Sequence, residues 1–323
     1  MRVIEIAGGK GPASALHIAE RPDPVAMAGE ILIKVRAAGV NRPDIVQRNG
    51  FYPAPAGASD VLGLEVAGEV VAVGDGVERW SVGDRVCALL GGGGYAELVT
   101  VDARHALPVP DGLSFEETAA LPETAFTVFT NVFEGGALKS GETLLIHGAT
   151  SGIGVMAIQM AKAAGARVIA TSRTKAKAEA AKALGADISL DASSQDLAEE
   201  IKAAGGVDVV LDMVGAAYAD LNLKALKERG RWVVIASLTG TKAEIDLQRI
   251  MLKKLVLTGS TLRSRPADEK ARLTAAVEQT VWPWVSSGQI KARIHERFPL
   301  DQADKAHASL EAGDHIGKIV LIP

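Results

Sequence analysis

The stretch LLIHGATSGIGVMAIQMAKAAGARVIATSR, Leu144 to Arg173, decides the fold. An apolar run leads into a turn holding Gly148, Gly152 and Gly154. An alanine-rich amphipathic stretch follows, and then a second apolar run that closes on Ser172 and Arg173 with no acidic residue. Strand, glycine turn, helix, strand is the order expected of a nucleotide-binding unit. Such a turn gathers backbone N–H groups and the positive end of the helix dipole at one point, which suits a pyrophosphate. Glycine is needed there because a Cβ would hold the phosphate away from the backbone. The spacing departs from G-x-G-x-x-G: Ala149 and Ser151 stand where its first two glycines would fall, and only Gly154 matches. At the end of the second strand a carboxylate would bind the ribose 2′-OH of NAD, whereas a cation accommodates the 2′-phosphate of NADP. The chain offers Ser172, Arg173 and Lys177 in TSRTKAK, so NADPH is the expected cofactor.

Downstream the same rhythm continues, with strands in RVIATS, VDVVLDMVG, RWVVIAS and LVLTGST and helices in AKAEAAKALGAD and LNLKALKERG. This alternation predicts a parallel sheet with helices on both faces. Upstream, residues 1 to about 110 carry β-branched runs separated by Gly, Pro and Asp, the pattern of a barrel-like β domain. Pro122 opens a helical stretch, PETAFTVFTNVFEGG. The tail has a further helix and the strand GKIVLIP, which is expected to rejoin the first domain. The expected division is 1–122, 123–265 and 266–323.

Composition bounds the function. The 323 residues are 48% hydrophobic and 23% charged, with a net charge of -4, so no basic face for nucleic acid is expected. Thr143 to Ala161 lacks charge, but its glycine cluster fits strand, turn and helix better than a membrane span. One cysteine, Cys87, allows no internal disulfide, and no signal-peptide series opens the chain, so a cytoplasmic location is expected. Six scattered histidines and that cysteine give no zinc spacing, and no G-x-S-x-G is present. The glycine spacing also fits short-chain dehydrogenases, but none of Tyr52, Tyr95 and Tyr218 has a lysine four residues on.

GVNRPDIVQRNGFYPAPAGASDVLGLEVAGEV, LPETAFTVF, LLIHGATSGIG, GSTLRSR and IGKIVL together resemble the medium-chain dehydrogenase/reductase superfamily, in its zinc-free quinone oxidoreductase branch. GSTLRSR with PAGASDVLGLE is most similar to the p53-inducible quinone reductase-like group. The resemblance spans essentially the whole chain. It implies an α/β protein with a GroES-like β-rich catalytic domain, a Rossmann domain inserted into it, and an active site in the cleft between them. It implies hydride transfer from NADPH to a quinone or related enone. An enone or enoyl-thioester reductase of the same superfamily is the alternative, with Arg263 and Arg265 available to a CoA group, and a cofactor-binding protein without turnover is another. Zinc relatives carry a cysteine and a His-Glu pair at positions matching Val40 or Asn41 and Leu64-Glu65; here GVN and GLE lack the cysteine and the histidine.

Carried over by residue, the resemblance places Asn41 beside the nicotinamide and Tyr52 on the acceptor carbonyl, the two candidate catalytic donors. Thr127 would contact the carboxamide, and Ser151, Gly152 and Ile153 would present donors to the pyrophosphate. Ser237, Leu238 and Leu262 would border the nicotinamide, and Lys318 would lie near the cofactor. Ala192 replaces a tyrosine near the adenine-ribose end, and Val46 replaces another active-site tyrosine. A homodimer or homotetramer through the edge strand LVLTGSTL is implied as well.

Overall fold

The computed structural model describes residues 1–193 and 196–323, which divide into two compact units. The first comprises residues 1–126, 263–286 and 292–323; the second comprises 127–262 and 287–291.

The first unit holds β1 (Arg2–Ile6), β2 (Leu16–Glu20), β3 (Glu30–Val40), α1 (Arg42–Arg48), β4 (Glu65–Val73), β5 (Arg85–Leu89), β6 (Leu98–Asp102), β7 (Ala106–Pro108) and α2 (Phe115–Ala119). The helix α3 (Pro122–Val128) opens at the proline the sequence points to, and the chain passes along it into the second unit. There a π-helical turn, Phe129–Gly135, precedes β8 (Thr143–His147), α4 (Gly152–Ala163), β9 (Arg167–Ser172), α5 (Lys175–Ala183), β10 (Ile188–Asp191), α6 (Leu197–Ala203), β11 (Val207–Asp212), α7 (Ala219–Ala225), β12 (Leu226–Val234), α8 (Leu247–Lys253) and β13 (Val256–Gly259). The chain then supplies α9 (Ala267–Thr280), α10 (Trp282–Ser286), β14 (Ile294–Pro299), α11 (Ala303–Ala312) and β15 (Lys318–Ile322) to the first unit.

Among the described residues, the second unit has a six-stranded sheet in the order β10-β9-β8-β11-β12-β13, with every neighbouring pair parallel. Parallel strands need both faces covered, and the strand interiors are accordingly apolar throughout: Leu144, Leu145, Ile146, Val209, Val210 and Leu211 are fully buried. Strand order reverses between β8 and β11, so the carboxyl ends of these strands form the switch point at which such sheets bind ligands. LNLKALKERG reads as one helix in sequence, but α7 stops at Ala225. Leu226 is buried and pairs with Val207 in the sheet, so tertiary pairing overrides the helical propensity of the segment.

In the first unit the sheet order is β14-β15-β3-β4-β5-β7, with β6 also on β3. The returning tail is its integral part: β15 pairs antiparallel with β3, Ile319 opposite Val40. Ile31, Ile33, Val66, Val86, Tyr95 and Ile319 pack in its core. Among the described residues no helix is long and apolar enough to cross a membrane; Thr143 to Ala161 is β8, the turn and most of α4.

Candidate functional site

Residues singled out in the sequence collect at two places, one in each unit. In the second, β8 ends at His147 and the chain turns into α4. Ser151 caps the helix: its Oγ accepts from the Gly154 N–H at 3.0 Å and donates to the Gly148 carbonyl at 2.8 Å. The first N–H groups of a helix have no partner within it, so those of Gly152 and Ile153 lie outside the bonding of α4 itself. A Cβ on Gly154 would lie 2.5 Å from the Gly148 oxygen and 2.6 Å from Ala149, so only glycine allows so tight a turn. Beside it, at the end of β9, the Ser172 side chain is buried and its Oγ has no hydrogen-bond partner among the described residues. Arg173 follows, exposed, and Thr174 caps α5 by accepting from the Lys177 N–H at 3.4 Å. A phosphate cradle, an orphaned hydroxyl and a cation at the end of the second strand fit a phosphorylated dinucleotide.

Thr127, Ser237, Leu238 and Leu262 also belong to this unit. Thr127 is half-buried within α3, Ser237 and Leu238 are exposed beyond β12, and Leu262 is half-buried beyond β13. Ala192 pairs its N–H with the Ser172 carbonyl at 2.8 Å. Beneath the turn lies a network the sequence did not reveal. Asp212 accepts from Asn222 Nδ2 and Trp232 Nε1, both at 3.0 Å, and from the Val214 and Gly215 N–H groups. Asn222 thus turns its oxygen to His147 Nε2 at 2.7 Å, which fixes the proton on that nitrogen and leaves Nδ1 to accept from Thr171 at 2.9 Å. His147 is therefore a buried structural histidine, and its burial lowers its pKa.

The first unit contributes Asn41, Tyr52 and Lys318. Asn41 sits between β3 and α1, where its N–H donates to Asp44 Oδ2 at 2.8 Å. Lys318 begins β15; its buried ammonium donates to Glu65 Oε1 at 2.6 Å, to the Val40 carbonyl at 3.1 Å and to Asn41 Oδ1. An ammonium has no acceptor to offer, so the Asn41 amide has one orientation, with Nδ2 donating to Glu65 Oε1 at 2.9 Å. Glu65 is fully buried, and its second oxygen accepts from the Glu123 N–H at 2.8 Å. Gly39 makes room for it, since a Cβ there would lie 2.0 Å from Glu65 Oε1. The amide of Asn41 is thus committed to its neighbours, whereas the half-buried Tyr52 has no partner for its hydroxyl among the described residues. Burial pushes the Tyr52 phenol up, Glu123 adds to the rise, and Arg263 opposes it.

A second chain of bonds supports Asn41 from behind. Tyr95 donates to Asp44 Oδ2 at 3.1 Å and contacts His307 Nε2 at 3.1 Å, and His307 Nδ1 faces Arg48 Nη1 at 3.2 Å. Arg48 in turn pairs with Glu311 at 2.6 Å. Arginine only donates, so His307 accepts through Nδ1 and carries its proton on Nε2; burial drives its pKa down to about 3. Burial likewise raises Asp44 to about 6. Arg263, which the sequence left open to a CoA group, is buried and spends its hydrogen bonds on Gly91, Tyr52 and Gln47. Cys87 is buried in β5, and among the described residues no three His, Cys, Asp or Glu side chains gather to hold a metal ion.

Comparison with known proteins bears directly on these two sites. Residues 27–111 match the alcohol dehydrogenase GroES-like domain, and residues 152–279 match the family described as zinc-binding dehydrogenase. A quinone oxidoreductase of Pseudomonas aeruginosa is 35% identical over 299 residues, 91% of each chain. The chain belongs to the medium-chain dehydrogenase/reductase superfamily. Two solved structures of this superfamily cover all of this chain and are themselves wholly covered. The Escherichia coli quinone oxidoreductase complexed with NADPH has a TM-score of 0.90 at 30% identity, and an NAD-dependent alcohol dehydrogenase has 0.88 at 32%. The chain's β-rich unit is therefore GroES-like and its parallel-sheet unit is of the Rossmann type.

Proposed function

We propose that this chain is an NADPH-dependent, zinc-independent quinone oxidoreductase that passes hydride to quinones or related activated carbonyl acceptors. The observation that carries the reading is the phosphate cradle at Ser151, Gly152 and Ile153 with Arg173 directly after the adjacent strand and Lys177 in the first turn of the helix that follows it, in a chain 35% identical to a quinone oxidoreductase. The cofactor, when bound, supplies the hydride. The chain's part is to bind and orient. Ser151, Gly152 and Ile153 hold the pyrophosphate, the Ser172 hydroxyl and the Arg173 and Lys177 cations take the ribose phosphate, and Thr127, Ser237, Leu238, Leu262 and Lys318 belong to the nicotinamide end. Tyr52 donates a hydrogen bond to the acceptor oxygen as negative charge develops there. Asn41 is the second candidate catalytic residue beside the nicotinamide, and its amide is held rigid by Lys318 and Glu65. Zinc independence draws support from the same contacts: a metal at Asn41 and Glu65 would have to displace the buried Lys318 ammonium.

We further propose a homodimer or homotetramer. β13 is a sheet edge, and Leu247, Met251, Leu252 and Val256 around it are 75%, 67%, 66% and 50% exposed. An apolar edge of this kind invites pairing with a second copy.

Steady-state oxidation of NADPH and of NADH with benzoquinone, phenanthrenequinone and an enone, with metal content measured on the same protein, tests the reading. Quinone turnover that prefers NADPH, and loses that preference in Arg173→Asp, is expected. NADPH binding without reduction of any of these acceptors would refute the reaction class.

A further inference from the structure

Tyr52 lies in the segment between α1 and β4, outside any helix or strand, so something else must place its ring. Arg263 does so from the far side of the chain sequence. Its Nη1 donates to the Tyr52 carbonyl at 3.0 Å, its Nε to the Gly91 carbonyl at 2.8 Å, and its Nη2 to Gln47 Oε1 at 2.7 Å. Gln47 Nε2 in turn donates to the Asp60 carbonyl at 2.9 Å, which ties both ends of the Tyr52 segment to one cluster. The guanidinium carbon stands 5.2 Å from the centre of the Tyr52 ring.

The clamp is charged, although its task as a clamp does not require charge. Arg263 is 5% exposed, and all three of its hydrogen bonds run to neutral acceptors. Burying a guanidinium among neutral partners is unfavourable compared with burying a neutral donor that makes the same contacts. Asp44 on α1, and Glu123 at the start of α3 once it ionises, act on it only by longer-range attraction, and Lys270 on α9 feels its repulsion. The same Glu123 and Arg263 are the charged groups that face Tyr52.

We propose that Arg263 is the positioning residue of Tyr52: it fixes the loop through the Tyr52 carbonyl and holds a positive charge against the ring, so that the phenol is presented in one orientation as a stronger hydrogen-bond donor. The inference deepens the reading above, because it takes Tyr52 as the group that meets the acceptor oxygen.

The test uses tyrosine labelled at Cζ, observed by NMR from about pH 8 to about pH 12, which runs past the ordinary phenol range because burial raises Tyr52. The chain has three tyrosines, and Tyr52→Phe assigns the Tyr52 resonance by its loss. Arg263→Gln keeps a donor but removes the charge, and Arg263→Lys keeps the charge but loses the fork. The Tyr52 titration is expected to move up by about one pH unit or more in Arg263→Gln and to stay near wild type in Arg263→Lys, as an opposite charge at short range predicts. In quinone turnover, kcat is expected to fall about tenfold in Arg263→Gln with KM little changed, with recovery in Arg263→Lys, as befits an interaction used mainly in the transition state. A Tyr52 titration that is the same in all three proteins overturns the proposal. If Arg263→Gln does not fold, Arg263→Lys decides: a Tyr52 titration moved up in that variant, despite the retained charge, also overturns it. A shifted titration together with unimpaired quinone turnover in Tyr52→Phe leaves the coupling of Arg263 to Tyr52 standing and removes the role of Tyr52 in the reaction.

Discussion

Replacing Glu123 by glutamine should make the GroES-like unit more stable, and increasingly so as pH rises. The Glu123 carboxyl is raised from 4.5 to about 8, first by burial and then by repulsion from Glu65, with Lys318 opposing and Asp44 adding to the rise. Between those two values the folded chain holds a proton that the unfolded chain has lost, so stability falls as pH rises through this window. Between pH ~6 and ~8.5 the integrated loss is about 2.5 kcal/mol at roughly 1.4 kcal/mol per pH unit. Glu123 is only half-buried by its surface, so solvent screening brings the expected figure to about 1–2.5 kcal/mol. Glutamine has the shape of the protonated acid and no such term. Asp44, raised to about 6, and His307, lowered to about 3, titrate in both proteins and cancel in the comparison. Urea unfolding followed by tryptophan fluorescence reports mainly on the right unit, because Trp80, Trp282 and Trp284 lie in it and only Trp232 of the four tryptophans lies in the other. The difference in unfolding free energy between Glu123→Gln and wild type should widen steadily up to about pH 8 and then level off. A difference that stays constant across this range would refute the protonated state of Glu123.

Two further substitutions probe the supports of the two sites. Lys318→Met leaves the fully buried Glu65 without its cation and should destabilise by about 3–5 kcal/mol, while Lys318→Met with Glu65→Gln should recover much of that loss in the same urea measurement. Gly154→Ala drives a Cβ into the Gly148 carbonyl, so NADPH affinity should fall at least about tenfold in a fluorescence titration, while the unfolding step of the first unit, which holds Trp80, Trp282 and Trp284, stays unchanged and only the Trp232 contribution from the second unit moves.

The strand, glycine turn and helix at Leu144–Lys162 were legible because every signal there is local: an apolar run, a capping serine and a glycine where a Cβ cannot fit. The eleven residues EILIKVRAAGV became β3 as read, since alternation along a strand is likewise a short-range pattern. The residues that surround Asn41 and Tyr52 follow no such pattern. Lys318 meets Asn41 across 277 residues of sequence, and Arg263 meets Tyr52 across 211. Before folding, Arg263 reads as a solvated cation available to a substrate, and only the pairing of remote segments turns it inward. Glu123 reads as an ordinary acid in the first turn of a helix. Its altered proton affinity comes first from burial and then from Glu65, which reaches the same place from β4 through the space left by Gly39.

Two of the buried cations of the GroES-like unit, Lys318 and Arg263, are treated in opposite ways, and the difference separates support from function. Lys318 is matched by Glu65 at 2.6 Å, so its field is largely cancelled where it arises and its work is to hold Asn41. Among the described residues Arg263 has no carboxylate as a hydrogen-bond partner, so its field extends to the Tyr52 ring. Glu123 sets how much of that field the phenol feels. Below about pH 8 its carboxyl is neutral and Arg263 acts alone; above it, the carboxylate offsets the guanidinium and the phenol holds its proton more tightly. Glu123→Gln should therefore lower the Tyr52 titration in the NMR measurement, the opposite direction to Arg263→Gln. Two neutralising substitutions that shift one tyrosine in opposite directions can be reconciled only by charge, because loosened packing would move both the same way.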